Sequence, residues 1–530
     1  MERIVVVGAG IAGLAAATLL AKDGHQVTVL ERGARTGGRV GTVQRDGFTF
    51  DTGPSWYLMP GVFDHFFRLL GTSAQEQLDL VRLEPAYRVF GEGHDDALEM
   101  RSDLDHTVRV FDAVEPGAGR KIRVYLESAK TAYDLAVRHF LYTSFTSPRS
   151  FLRLLHPDVL RQVPRLSQHL LRSLHALTHR TVHDTRLRQI LGYPAVFLAT
   201  RPRDAPSLYH LMSHLDLTES VQYPRGGFST LIRAIERLAE QHGVRIVLHA
   251  DVQEVLTDQA APEAPRGRGR PHVTGVRWVD ADGVSHIEPA ERVVSAADLH
   301  HTETQLVPAH LQTYPERHWD TVTSGPGAVL VMLGIRGRLT ELAHHNLFFT
   351  KDWDRNFGAI FDEPAYVPDP ASIYVCKPSA TDPTVAPQEH ENLFVLVPVP
   401  ADVWIGEGGD DGDGSPLVEA VADRVIQQIS DWADIPDLAD RIVVRTTLGP
   451  GDFARKYNAW RGNMLGPAHT LRQSAFFRGR MTSKRIQGLH YCGSTTVPGI
   501  GLPMCLISAE NLLKDVRGDT TTAPLPEPRT

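Results

Sequence analysis

A strand, a glycine-rich turn, a helix and a second strand open this chain over residues 4–31, which read IVVVGAGIAGLAAATLLAKDGHQVTVLE. Gly8 permits a tight turn after the first strand, Gly10 lets the backbone approach a pyrophosphate, and Gly13 lets the helix pack against the sheet. Glu31 ends the second strand, 18 residues after Gly13. This is close to the spacing of about 20 residues at which an acid meets a ribose hydroxyl. The segment predicts a Rossmann-like unit that binds a dinucleotide at the helix N-terminus.

A second glycine motif, RTGGR at 35–39, narrows the choice of dinucleotide. Its two adjacent glycines allow the backbone to pass a pyrophosphate, while the guanidinium of Arg39 adds a charge-assisted, fork-shaped contact. A nicotinamide enzyme has no need for this second segment. The two motifs together favour FAD over NAD.

These segments resemble a known family. The run from Glu31 to Arg39 is similar to the ExxxxxGGR motif of the flavin-containing amine oxidase superfamily, which binds FAD. GSTTVPGIGLPM at 493–504 resembles the C-terminal signature of bacterial-type phytoene desaturases, the carotenoid desaturases of that superfamily, where a strand, a turn and a helix carry the flavin ring. DTGPSWYLMP at 51–60 and the segment beginning YPRGG at 223 are similar to the same family, in its order. The resemblance therefore spans the chain.

The resemblance implies a set of FAD-binding residues that lie in or next to these turns. They are Gly8, Ala9, Gly10, Ile11, Ala12, Gly13, Glu31, Arg32, Gly38, Arg39, Gly53, Pro54, Ser55, Val252, Gly493, Gly499, Ile500 and Met504. Asp298, His300 and His301 are candidate bases, but a helix-capping Asp and structural histidines are the favoured interpretation. The catalytic residue is left unknown.

The order of the segments predicts an α/β fold with a discontinuous FAD domain. This domain is expected to be Rossmann-like, of the glutathione-reductase type, with an inserted α+β substrate domain and a helical, membrane-facing region. The loop at 259–271 is expected to be flexible. The expected boundaries are 1–75, 222–300 and 480–518 for the FAD domain, 76–221 and 301–479 for the substrate-binding and membrane-associating domain, and 519–530 for a disordered tail.

Residues 138–188 carry nine arginines, no lysine and two acids, interleaved with Phe and Leu. A basic amphipathic helix of this kind can lie in a membrane interface with its arginines on anionic head groups. The alternative is a helical cap with solvated arginines, and both interpretations stay open. His175 and His179 stand at i and i+4, but no carboxylate or Cys completes a metal site there, so surface histidines are favoured.

Composition limits the compartment and the partners. A net charge of −8 argues against a nucleic-acid binder. Cys376, Cys492 and Cys505 form no CxxC pair, which indicates a reducing compartment and predicts no metal site. The apolar stretches are far shorter than the roughly 18 to 20 residues of a membrane span. The expected location is the cytoplasm, with peripheral association to the cytoplasmic membrane.

The activity implied by the resemblance is FAD-dependent desaturation of phytoene toward neurosporene or lycopene. Hydride would pass to flavin N5 while a proton leaves the adjacent carbon, and oxygen or a quinone would reoxidise the flavin. The substrate is then a lipophilic polyene that needs a deep apolar tunnel. Formation of a homo-oligomer stays open.

Three alternatives remain at this point. The first is another FAD enzyme on the same scaffold, such as a carotenoid isomerase, a ketolase or an amine oxidase. The second is a prenyl-lipid-binding protein of the GDP-dissociation-inhibitor type, which needs no flavin. The third, a nicotinamide dehydrogenase, has only the first 31 residues in its favour.

Overall fold

A computed structural model describes residues 1–143, 169–258 and 269–528. The strands are β1 Arg3–Val7, β2 Gln26–Leu30, β3 Thr42–Arg45, β4 Phe48–Asp51, β5 Leu80–Arg82, β6 Tyr87–Gly91, β7 Leu98–Met100, β8 Gln222–Pro224, β9 Arg245–Val247, β10 Asp251–Thr257, β11 Val273–Val279, β12 Ser285–Pro289, β13 Arg292–Ser295, β14 Gly327–Arg336, β15 His345–Phe349, β16 Ile373–Cys376, β17 His390–Val399, β18 Ile442–Leu448 and β19 Leu489–Tyr491. The described helices of at least eight residues are α1 Ile11–Lys22, α2 Pro60–Leu69, α3 Leu104–Val114, α4 Ala118–His139, α5 Leu174–Thr181, α6 Thr185–Gly192, α7 Ser229–Gln241, α8 Trp353–Phe361, α9 Pro416–Trp432, α10 Pro450–Tyr457 and α11 Leu502–Val516.

A five-stranded parallel sheet carries the glycine-rich turn. Its order is β19-β13-β1-β2-β9, with β1 at the centre. The strand β1 reads RIVVV and buries its last four residues, because the central strand of a parallel sheet is covered on both faces. The helix α1 connects β1 to β2, which pair in parallel, and this forms the predicted βαβ unit.

The helix α1 packs against both α7 and α11. It is buried along nearly its whole length, and Ala15, Ala16 and Ala17 are fully inaccessible. Their small side chains let neighbouring helices approach closely. A helix that is apolar all round belongs in a core, and α1 is surrounded by protein accordingly.

A seven-stranded mixed sheet forms the second large unit, in the order β18-β14-β17-β16-β15-β6-β7. Alternate residues of β14 face opposite sides. Val329 and Val331 join a core that includes Val418 of α9, whereas Leu330 and Met332 join a core on the other face. Because both faces are covered, β14 reads as an uninterrupted apolar run.

Two expectations from the sequence fall on residues outside the described ranges. These are most of the flexible loop predicted at 259–271 and the central part, 144–168, of the arginine-rich segment. Among the helices that the structure does describe, none combines the length and the apolar character needed to cross a bilayer.

The tail corrects an expectation, because residues 519–528 pack on the body of the protein instead of being disordered. Leu525 is buried, and its N–H donates to Glu510 Oε1 at 2.6 Å. The imidazole of His65 lies between Glu510 and Glu527, 3.1 Å from Glu510 Oε2 and 2.9 Å from Glu527 Oε1. One buried leucine and two carboxylates on one histidine explain why a polar, proline-containing segment is held.

Tail docking is expected to depend on pH through His65. Burial disfavours the imidazolium, but hydrogen bonds and charge from Glu510 and Glu527 outweigh it and raise the pKa of His65. A histidine whose pKa is higher in the docked state stabilises docking fully below its unfolded pKa of about 6.5. This stabilisation is lost as the pH rises through the pKa of the docked state. Hydrogen exchange of residues 519–528 should therefore accelerate as pH rises through that range, after correction for the intrinsic rate.

His65→Gln should remove this pH dependence. His25→Gln is the matched control, because His25 lies near Glu2 and Asp23 and does not touch the tail. Equal protection of the tail at pH 6 and pH 8 in the unsubstituted protein would contradict the prediction.

Candidate functional site

A cavity of about 250 Å³, here called the small cavity, lies at the carboxyl ends of β1 and β2. Gly8 sits at its edge with φ +95°, in the left-handed region that favours glycine. Gly10 is the N-cap of α1, and no side chain caps this helix start. The first N–H groups of α1 are thus left for a ligand, and a helix N-terminus attracts anions such as phosphate.

Gly10 and Gly13 serve different purposes in this turn. A Cβ at Gly13 would lie 2.0 Å from the carbonyl oxygen of Gly8, so glycine is required there for the helix to reach the strand. A Cβ at Gly10 would meet nothing within 4 Å, so glycine there leaves open space for a ligand. Gly13 therefore supports packing and Gly10 supports binding.

Glu31 lines the small cavity at the end of β2. Its carboxylate accepts the N–H of Ala9 at 2.7 Å and the N–H of Gly33 at 2.7 Å. It therefore ties the glycine-rich turn to the loop that leads into the second glycine motif. The sequence predicts a ribose contact for Glu31, and it does not indicate this structural role.

Arg39 carries the clearest sign of an anionic ligand. Its Nε and one terminal nitrogen are buried and have no hydrogen-bond partner. A buried, unsatisfied guanidinium costs free energy unless an anion completes it. Arg39 follows Gly37 and Gly38, both at positive φ, and a Cβ on Gly38 would lie 3.2 Å from Gly10 Cα. The two glycine motifs thus meet, with the guanidinium beside them.

A second cavity of about 530 Å³, here called the large cavity, adjoins the small one. Its walls come from one face of the seven-stranded sheet, from α4, and from the segments around 193–215 and 464–477. Among the described residues that line it, none is Asp, Glu or Lys. A cavity of this size with such walls suits a large apolar ligand.

The two cavities meet at a set of shared lining residues, here called the junction. The junction contains the unsatisfied guanidinium and the turn before α11. Its members are Arg39, Pro54, Met464, Leu465, Ile500, Gly501 and Leu502. A ligand bound in the small cavity can therefore present one end to a ligand in the large cavity.

Comparison with known proteins decides the family. The family model described as flavin containing amine oxidoreductase matches residues 11–511. A carotenoid 3,4-desaturase from Haloarcula japonica is 39% identical, with 97% of this chain and 99% of the relative covered. A zeta-carotene-forming phytoene desaturase from Myxococcus xanthus is 34% identical, with 96% and 92% covered. The chain belongs to the flavin-containing amine oxidoreductases.

Solved structures share the fold at low identity. A putrescine oxidase bound to putrescine matches with a TM-score of 0.60 at 16% identity, covering 98% of this chain and 99% of that one. A RAB GDI from Plasmodium falciparum matches with a TM-score of 0.51 at 10% identity, covering 98% and 99%. At such identities the likeness concerns the fold alone.

FAD is the cofactor of this flavoprotein, as predicted, and the observed residues fit it. Its pyrophosphate would satisfy Arg39 and the uncapped start of α1. The helix α11 also starts uncapped, at Gly501 in the junction. A helix N-terminus at that point favours negative charge, which reduced flavin carries.

The structure brings most of the predicted cofactor residues to the two cavities. Those in the wall of the small cavity are Gly8, Gly10, Ile11, Ala12, Glu31, Arg32, Gly38, Arg39, Pro54, Val252, Gly493 and Ile500. Gly53, Ser55 and Met504 line the large cavity instead. Ala9, Gly13 and Gly499 line neither cavity.

Gly499 leads to a residue that the sequence analysis missed. A Cβ there would lie 2.4 Å from His469 Cε1, so the turn needs glycine because a buried histidine packs on it. His469 Nε2 accepts the N–H of Ile500 at 3.3 Å, and Nδ1 lies 2.8 Å from the Tyr209 hydroxyl. Burial keeps the pKa of His469 well below its usual value, so the imidazole is neutral and orients the turn.

Arg478 was also missed. Its guanidinium is buried and donates to the carbonyl oxygens of Ser494, Pro467 and Gln473. Burial lowers its pKa to about 10, which still leaves it charged at neutral pH. No sequence signal marks this residue, because an isolated arginine in a loop is ordinarily solvated.

The candidate bases have structural partners. Asp298 Oδ1 accepts the N–H groups of His300 at 2.9 Å and His301 at 3.3 Å, which makes Asp298 a helix cap. His300 Nε2 lies 3.1 Å from Glu316 Oε1. Asp298 and His301 line the small cavity and not the large one. These contacts fit Asp298 as a helix cap, and the structural interpretation of His300 and His301 stays a prediction.

Substitution of the two glycines should separate folding from binding. Gly13→Ala forces a Cβ into the carbonyl of Gly8 and should destabilise the apoprotein by about 1–3 kcal/mol. Gly10→Ala fills only the ligand space, so it should leave apoprotein melting unchanged and weaken FAD binding by about tenfold or more, ~1.4 kcal/mol. Apoprotein melting and flavin titration measure the two effects. Equal melting losses in both variants would contradict this assignment.

Proposed function

We propose that this flavoprotein is a carotenoid desaturase that removes hydrogen from adjacent carbons of a long polyene, with phytoene as its substrate and neurosporene or lycopene as the product. The observation that carries the proposal is the large cavity, which meets the cofactor cavity at the junction and has no acidic or lysine residue among its described lining residues. Two relatives named above are carotenoid desaturases, which supports the same conclusion.

Two tyrosines in the walls of the large cavity keep their hydroxyl groups hydrogen-bonded to protein. The Tyr193 hydroxyl donates to Asp216 at 2.5 Å, and the Tyr374 hydroxyl donates to Ser55 at 2.7 Å. The rings of these tyrosines therefore face the cavity while their hydroxyls are satisfied elsewhere. A polyene needs no hydrogen bonds, so such walls hold it by shape and exclude water.

The chemistry supplied by bound FAD is acceptance of a hydride from a saturated carbon. The chain holds the reacting C–C bond at the junction and keeps positive charge nearby through Arg39 and Arg478. We assign no catalytic base. We propose oxygen or a quinone as the electron acceptor.

An amine oxidase on this scaffold fits the cavity less well. A protonated amine needs carboxylates or an aromatic cage. Among the described lining residues none is acidic, and the Trp56 and Tyr374 rings are tilted by 46° with centroids 6.1 Å apart, so they do not face each other.

We propose the following division of the chain. Residues 1–75, 222–300 and 480–518 bind FAD, and the insertions 76–221 and 301–479 bind the polyene. All five strands of the parallel sheet come from the first group, and all seven strands of the mixed sheet come from the second, which supports this division.

The first test is pigment analysis in two bacterial hosts, one that accumulates phytoene and one that accumulates lycopene. We expect longer-wavelength absorption bands in the phytoene host, and their loss with Gly10→Ala. New bands only in the lycopene host would instead assign a 3,4-desaturation, as the name of the Haloarcula japonica relative suggests. Unchanged pigments in both hosts, with a protein that retains FAD, would contradict carotenoid desaturation.

We propose that the mouth of the large cavity lies on the cytoplasmic membrane, so that the polyene enters directly from the bilayer. Exposed apolar side chains that line this cavity support the proposal, with cationic Arg172 and Arg472 beside them in the sequence. Exposed apolar side chains with neighbouring arginines suit a surface of anionic lipid head groups. The exposed side chains that line the cavity are Leu170, Leu471, Phe476 and Phe477, and the exposed Leu171 is adjacent to Leu170 in the sequence.

Charged substitutions at the mouth should release the protein from lipid. Leu171 is 80% exposed and Phe477 is 59% exposed, so Leu171→Glu/Phe477→Glu leaves the fold intact and places two charges in the interface. Flotation with anionic vesicles should drop by about tenfold or more, since each charge costs at least about 1 kcal/mol near an anionic surface. Trp404→Glu is the control, because Trp404 is 90% exposed and lines neither cavity. Equal losses in both variants would refute a specific docking face.

A further inference from the structure

Strands β15 and β16 bring two histidines and a cysteine together in the protein interior. His345 is the direct antiparallel partner of Cys376, and His344 precedes β15. One ligand-capable atom from each of the three residues lies within 4.8 Å of the others, and all three side chains are buried. The three residues, called here the His-His-Cys cluster, line neither cavity.

Each histidine holds one ring nitrogen in place and leaves the other without a partner. His344 Nδ1 lies 2.8 Å from Thr381 Oγ1, and His345 Nδ1 lies 2.7 Å from the Tyr374 hydroxyl. The Nε2 atoms of both histidines are buried and unpartnered. Metal-binding histidines show this arrangement, with one nitrogen on the metal and the other fixed by a hydrogen bond. Without a ligand, two buried nitrogens stay unsatisfied at a cost in free energy.

Charges around the cluster allow a cation. The carboxyls of Asp51 and Asp382 act electrostatically on Cys376 and His344, respectively. Asp51 Oδ1 is itself buried and unpartnered. The cation closest in sequence, Lys377, is paired with Glu391 at 3.3 Å. At His344 the positive charge of Lys377 acts more strongly than the Asp382 carboxyl. Burial raises the pKa of Asp51 to about 7, and a bound cation would favour the ionised form of this unpartnered carboxyl.

We propose that His344, His345 and Cys376 form a zinc site. Imidazole nitrogen and thiolate sulfur are the donors that zinc prefers, and three protein ligands leave the fourth tetrahedral position to water. Binding releases one proton from the Cys376 thiol as the Zn–S bond forms. Tetrahedral geometry places donor atoms roughly 3.5 Å apart. Side-chain movements of about 1 Å would bring the three donor atoms to this spacing.

The site would act on the wall of the large cavity. His345 stacks on Trp56 with centroids 4.3 Å apart and planes 8° apart, and its Nδ1 meets Tyr374. Trp56 and Tyr374 both line that cavity. Zinc would thus cross-link β15 to β16 and fix two aromatic side chains of the substrate wall, whatever the substrate is.

The experiment is zinc titration of the FAD-loaded, full-length protein, followed by gel filtration and metal analysis. His175→Gln/His179→Gln serves as the background, because this helical pair has ring centroids 3.9 Å apart and could bind zinc at the surface. We expect about one zinc retained per chain, and a loss of about tenfold or more in affinity with Cys376→Ser. Cobalt substitution should give a thiolate charge-transfer band that Cys376→Ser abolishes.

Cys492→Ser is the matched control, since Cys492 is equally buried but lies outside the cluster. It should retain zinc and the cobalt band. If Cys376→Ser fails to fold, Thr381→Val tests the site by removing only the hydrogen-bond partner of His344, and affinity should fall about tenfold. The proposal is overturned if the background protein retains no zinc after titration, or if Cys376→Ser and Thr381→Val both bind zinc as tightly as the background protein.

Discussion

The pairing of β19 with β13 connects the two ends of the chain in one sheet, and both cavities depend on it. The strand β19 adds to the edge of the parallel sheet through Leu489–Tyr491, and the chain then turns into α11, which packs against α1. This places the turn 493–501 opposite the glycine-rich turn that follows β1. The junction therefore forms from residues more than 400 positions apart in sequence.

Two buried arginines set the electrostatics around that turn. Arg39 has nitrogens with no protein partner, whereas Arg478 is satisfied by carbonyl oxygens alone. Neither guanidinium is neutralised by a carboxylate among the contacts described above. Positive charge is thus held where a phosphate and a reduced flavin would place negative charge. The free energy needed to bury the unpartnered nitrogens of Arg39 is offset when the cofactor is bound, which couples FAD binding to stability.

The sequence predicted those parts of the site that depend on local backbone constraints. Gly8 has a positive φ, Gly13 leaves no room for a Cβ and Gly10 leaves space for a ligand, so a short motif is enough to recognise this turn. The His-His-Cys cluster could not be predicted, because it depends on the register of β15 with β16. Docking of the tail depends on His65, more than 450 residues away, so composition alone suggested disorder.

The apolar character of both the bilayer and the large cavity limits what can drive substrate binding. Under the proposed entry from the bilayer, a polyene leaves one apolar medium for another, so little free energy comes from desolvation. Recognition must then come from the shape of the walls, which are built by Leu330, Phe394 and Leu396 on the sheet face and by the aromatic rings opposite. Because packed walls tolerate volume-conserving substitutions, changes in a few of these side chains can alter which carbons reach the junction while the cofactor residues stay fixed. Relatives with the same fold and differently named carotenoid substrates or products are consistent with that separation.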